Sequence, residues 1–229
     1  MKKFALLAIA GSLLASTATI ASASAIRFTQ GALACTILDG GTVTGGAGCA
    51  GILGDISPEI GLLSTLGSIN GWNVTANVGR STPIFGTATA PALDLLIAAQ
   101  SASAGTLTIE FTDTGYSATS IRNLNSQIGG VTQGTSVNFS TFADTGNVAF
   151  GRGFALSSLT FVNSPFAGAA TAQFIPGTAT YSLTQVITIT HGGAGLTTGN
   201  AAIGVPAPAT LLLLGSALFG LGLSRRKHK

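Results

Sequence analysis

Charge is scarce in this sequence. Asp, Glu, Lys and Arg together make up 7% of its 229 residues, against about 25% in an ordinary soluble domain. With 46% hydrophobic residues, that excludes a disordered polyelectrolyte. The little charge there is sits unevenly. Residues 26–204 contain no Lys. Their only cations are Arg27, Arg80, Arg122 and Arg152, set against Asp39, Asp55, Glu59, Asp94, Glu110, Asp113 and Asp144. The middle is therefore mildly acidic, and the formal net charge of +3 belongs to the two ends. Four scattered Arg do not form the basic patch that phosphate contacts need, so no nucleic-acid partner is expected.

Residues that carry chemistry are equally sparse. His191 is the single His between residues 26 and 204, and no G-x-S-x-G elbow accompanies it. It is read as a strand-end His beside the Gly turn 192–195. The Gly-rich stretches do not match a phosphate loop, since G-x-x-x-x-G-K-[ST] is absent. Glu110 and Asp113 lie three apart, a spacing compatible with glycosidase work or calcium binding. Asp39 and Asp55 place further carboxylates in loops. All four are taken as turn polarity. No catalytic residue, metal site or cofactor is expected.

Cysteine is limited to Cys35 and Cys49, and the segment between them is rich in Gly. C-x-x-C spacing is absent, which argues against a redox pair, and no further Cys or nearby His completes a zinc site. An even count suggests a disulfide if the compartment is oxidising. The N-terminus points to such a compartment. Lys2 and Lys3 precede an apolar run from Phe4 to Leu14, which grades into Ser, Thr and Ala and ends at Ala23-Ser24-Ala25. This is the three-part pattern of a secretory signal peptide. Residues 1–25 are therefore expected to be removed by signal peptidase, with Ala23 and Ala25 as the small residues at the cut and Ile26 as the mature start.

The other end has three parts as well. Val205, Pro206, Ala207 and Pro208 form a turn, residues 209–224 are apolar, and Arg225, Arg226, Lys227, His228 and Lys229 close the chain. Proline is tolerated in the first turn of a helix and not in its interior, so the two Pro start a helix here. The 16 residues from Ala209 to Ser224 span about 24 Å as a helix, somewhat less than a hydrocarbon core of about 30 Å. The crossing would rely on the terminal cations reaching for the interface. Those cations are expected to stay cytoplasmic and stop transfer, leaving the body outside.

With Thr210, Leu211, Leu213, Leu214, Gly215 and Gly220 following Val205, Pro206 and Pro208, this end resembles the PEP-CTERM sorting domain of Gram-negative bacteria. The position between the two prolines, usually Glu in that family, is Ala207 here. The resemblance implies that an exosortase, a membrane cysteine transpeptidase, cuts near the turn. The body is then passed from the inner membrane to the cell surface or the extracellular matrix, with exopolysaccharide as a candidate partner there.

Between the two signals, Thr, Ser and Gly dominate, a composition of strands and turns. Apolar and polar residues alternate in Trp72–Val78, in Thr106–Phe111, around Val137 and Phe139, around Leu159 and Phe161, and in Tyr181–Thr190, where residues 181, 183, 187 and 189 share a face. Alternation of this kind marks half-buried antiparallel strands. The expected fold is all-β, an antiparallel β-sandwich or jelly-roll-like ectodomain over residues 26–198. Leu93–Gln100 is expected to be the first arm of a hairpin with the strand at 106–111. Residues 199–204 are read as a linker to the sorting signal at 205–229.

Overall fold

The computed structural model describes residues 24–206, apart from residues 119 and 178 and the side chains of residues 75–77. The expected signal peptide lies almost wholly outside this range, as do Ala207, Pro208, Thr210 and the basic residues of the tail. Thirteen strands are formed. They are β1 (Ala25–Gln30), β2 (Leu33–Leu38), β3 (Val43–Gly45), β4 (Leu62–Ile69), β5 (Trp72–Arg80), β6 (Ala92–Ser101) and β7 (Gly105–Tyr116), then β8 (Arg122–Thr132), β9 (Ser136–Asp144), β10 (Phe154–Phe161), β11 (Phe166–Phe174), β12 (Tyr181–His191) and β13 (Gly195–Gly204). The only helical element among the described residues is a single 3-10 turn at Ala47–Cys49.

The strands make two sheets. One has seven, in the order β10-β9-β12-β7-β1-β2-β3, and the other has six, in the order β11-β8-β13-β6-β5-β4. Every pairing between these strands is antiparallel. The alternation puts Leu107, Ile109 and Phe111 of β7, Val137 and Phe139 of β9, and Tyr181, Leu183, Ile187 and Ile189 of β12 into one core. Opposite them stand Trp72, Val74, Leu93, Leu95, Ile97 and Ile203. Face-to-face burial of two alternating sheets is what a sandwich requires.

Three expectations need correction. β6 and β7 follow one another in sequence but lie in opposite sheets, so Leu93–Gln100 is a strand and not a hairpin arm. Residues 199–204 are not a linker. They belong to β13 and pair on both sides, with Ile203 opposite Leu93 of β6 and Ser126 of β8. The even-numbered face of Trp72–Val78 also does not persist. The register shifts between Val74 and Val78, so Val78 turns outward while Gly79 is brought against the Phe111 ring. A bulge reverses which residues face the core.

Candidate functional site

The order of the strands brings the start of β1 and the end of β13 to one end of the sandwich. β13 finishes there, with Gly204 opposite Ala92 of β6 and Asn125 of β8. The backbone N–H of Val205 then donates to the Pro91 carbonyl at 3.2 Å, and its side chain packs against the core. Pro206 follows, exposed. The Val-Pro turn recognised in the sequence therefore emerges directly from a central strand, with no spacer between fold and motif. β1 starts at the same end, where Ala25 pairs with Leu38 and with Thr112.

The start of the fold differs from the expected mature start at Ile26. Ser24 and Ala25 are 2% and 1% exposed. The Ser24 hydroxyl donates to Asp39 Oδ2 at 3.1 Å, and its carbonyl accepts the Asp39 N–H at 3.0 Å. Asp39 also accepts from the Gly61 N–H. Asp55 is likewise engaged as a loop clamp, accepting from the N–H groups of Gly40, Ser57 and Ser64. Cys35 and Cys49 form the disulfide, with Cα atoms 5.5 Å apart.

The carboxylate pair separates. Glu110 points out of the seven-stranded sheet, where Arg27 Nε and Arg152 Nη2 donate to its two oxygens at 2.5 and 2.6 Å. Burial opposes its charge and would raise its pKa, but hydrogen bonds and charge from the two guanidiniums outweigh that and hold the carboxyl below its ordinary value. Asp113 points between the sheets, where Tyr116 Oη donates to it at 3.0 Å. Burial, with the Asp113 charge adding to it, raises Tyr116 well above the ordinary phenol value, and burial pushes Tyr181 up to about 12. Carboxylates on opposite faces of one strand share neither a metal ion nor a glycosidic bond. Among the described residues no group of three His, Cys, Asp or Glu is placed to hold a metal.

His191 is the last residue of β12, beside the Gly turn as expected, and its ring is enclosed. It is 2% exposed and lies 4.7 Å from the Trp72 ring, centroid to centroid. Ser101 Oγ is 2.6 Å from its Nδ1 and Thr197 Oγ1 is 2.9 Å from its Nε2. Thr132 extends the chain at 2.6 Å from Thr197. Burial lowers the His191 pKa. A Ser and a His in contact invite comparison with a nucleophile and its base, but no carboxylate orients the ring here. Both nitrogens are taken by hydroxyls, and Ser101 is 3% exposed. The arrangement ties β6, β8, β12 and β13 together and offers a substrate no access.

The family model of the PEP-CTERM protein-sorting motif matches residues 204–227, so the motif begins on the last residue of β13. No curated protein sequence matches the chain. Among solved structures, the enzymatically active domain of tailspike protein 4 from bacteriophage CBA120 is 12% identical with a TM-score of 0.33, over 60% of this chain and 20% of that one. The K3 cleaved adhesin domain of Lys-gingipain from Porphyromonas gingivalis is 11% identical, TM-score 0.29, over 48% and 74% of the two chains. TmCBM61 in complex with β-1,4-galactotriose is 7% identical, TM-score 0.31, over 60% and 90%. The chain spans a fifth of the length of the first of these. At such scores the likeness does not extend to function.

Proposed function

We propose that this PEP-CTERM protein is exported and held in the inner membrane by its apolar tail. An exosortase then cuts it beside the Val205–Pro208 turn and delivers it to the cell surface or extracellular matrix. The sorting motif over residues 204–227 carries this reading. The body then serves there as a non-catalytic structural or adhesive unit. Its candidate chemistry supports that role: Glu110 is taken up by Arg27 and Arg152, Asp113 bonds to Tyr116, and His191 is enclosed by hydroxyls. A surface low in charge sits in an exopolysaccharide matrix with little electrostatic selectivity.

Ala207, where the family usually has Glu, favours one competing outcome, a chain that is never cut and stays tethered on the outer face of the inner membrane. Co-expression with an exosortase separates the two. Processing should shorten the chain by its tail, and Ala207→Glu should process at least as fast. A chain that keeps its tail with the enzyme present, but loses it in the Ala207→Glu variant, would establish the tethered form.

A further inference from the structure

Exposed apolar side chains gather at the end of the sandwich from which the tail leaves. Ile60 precedes β4 and is 69% exposed. Ile84 and Phe85 lie in the loop between β5 and β6, and Phe85 lines the same shallow depression as Val205 and Pro206. Ile121, at 54%, precedes β8, and Ile175, at 67%, follows β11. Val148 stands in the loop between β9 and β10. These loops come from both sheets, and the antiparallel registers put all of them at the end where β13 finishes. Of the acids at this end, Asp55 accepts from backbone N–H groups, as above, and Asp144 accepts from Gly146 and Gly153, while Glu59, beside Ile60, is exposed.

We propose that this rim is a docking surface for the lipid bilayer into which the tail inserts. The proposal rests on the reading of the tail as a membrane segment. The occupant follows from chain length. Val205 is fixed to Pro91, and the three steps from Pro206 to Ala209 reach at most about 11 Å. The rim is thereby held against the interface, where Ile and Phe side chains leave water for the boundary of headgroup and acyl chain. A rim whose exposed side chains are mainly apolar, with the acid Glu59 among them, needs no anionic lipid. Docking also sets the angle at which the scissile turn faces a membrane-embedded enzyme.

The test reconstitutes the full chain in phosphatidylcholine vesicles containing a lipid with a photoreactive group at the glycerol level, followed by flotation and peptide mapping. The expected result is flotation with labelling of the Ile84–Phe85, Ile121 and Ile175 peptides several-fold above those containing Val131 and Val162, which lie at the opposite end. An Ile121→Ser/Ile175→Ser variant should float unchanged and lose most of the label at the rim. Flotation with label confined to the tail, equal label at both ends, or rim protection only when an exosortase is also present would overturn docking while leaving the tail's role intact. A chain that does not float would overturn both.

A separate observation carries a second inference, which rests on the signal-peptide reading. We infer that signal peptidase cuts between Ala23 and Ser24. Ala21 and Ala23 supply the two small residues as well as Ala23 and Ala25 do. Only the earlier cut keeps Ser24 and Ala25, which are buried, paired with Leu38 and Thr112 and bonded to Asp39. Water adds across the Ala23–Ser24 amide, leaving a carboxylate on Ala23 and an ammonium on Ser24, the residue whose hydroxyl meets Asp39. N-terminal sequencing of the exported protein should begin at Ser24. Ala21→Leu should block that cut, whereas a cut after Ala25 would be indifferent to it. A start at Ile26, or an Ala21→Leu variant processed normally, would overturn the inference.

Discussion

Glu110 is the most constrained charge of the body. It is nearly buried, and Arg27 and Arg152 hold it while stacking on Phe150 and Phe142. Glu110→Gln should lower stability by about 1–2 kcal/mol, less than for a fully buried pair because both guanidiniums are partly exposed. Its carboxyl lies below the ordinary 4.5, so the stability it adds is complete above that pH and is lost as the pH falls below it. Urea titrations across this range should show a slope in the parent protein that the variant lacks. His191 acts in the same direction at higher pH. Its pKa lies below the ordinary 6.5, so the unfolded chain takes up the proton first, and stability falls as the pH drops through that value. His191→Phe should cost about 1–3 kcal/mol near neutrality by taking one buried partner each from the Ser101 and Thr197 hydroxyls, which keep the Gly193 carbonyl and Thr132, and should flatten this part of the pH profile. The sequence showed which residues these were but not their partners. Ser101 lies 90 positions from His191 and Arg27 lies 83 from Glu110, and no local pattern encodes such pairs.

At the scale of elements, period-two alternation identified β7, β9 and β12 because bulky apolar residues occupy every second position. It missed the end of β13 because Gly199, Asn200 and Ala202 lack bulky alternation and read as a linker. What makes them a strand is the pair of neighbours, β6 and β8, that supply hydrogen bonds on both edges. Ile203→Ala tests this. A core position should cost about 2–5 kcal/mol in denaturant unfolding, where a linker residue would cost almost nothing. Gly79 is a second case of packing that alternation did not show. A Cβ there would come within 2.5 Å of the Phe111 ring, so Gly79→Ala should destabilise by about 1–3 kcal/mol through overpacking. The disulfide was readable from an even cysteine count and the expected export signal. Replacing both cysteines with Ser should cost about 3 kcal/mol, as for a closed loop of about 15 residues.

For the whole molecule, the sequence's own ends were more informative than its middle, because targeting signals are local and linear while a β-sandwich is made of distant pairings. The structure adds that the first and last described residues, Ser24 and Pro206, lie at one pole of the sandwich, that the sorting motif starts on its last strand, and that this pole carries exposed apolar side chains. The central claim is that this domain is cut from its tail after export. It is tested most directly by the intact mass of the protein recovered from cells that carry the sorting enzyme. The account predicts a chain lacking the signal peptide and ending within the turn at residues 205–208. A mass that runs through to Lys229 would contradict it and leave a tethered domain.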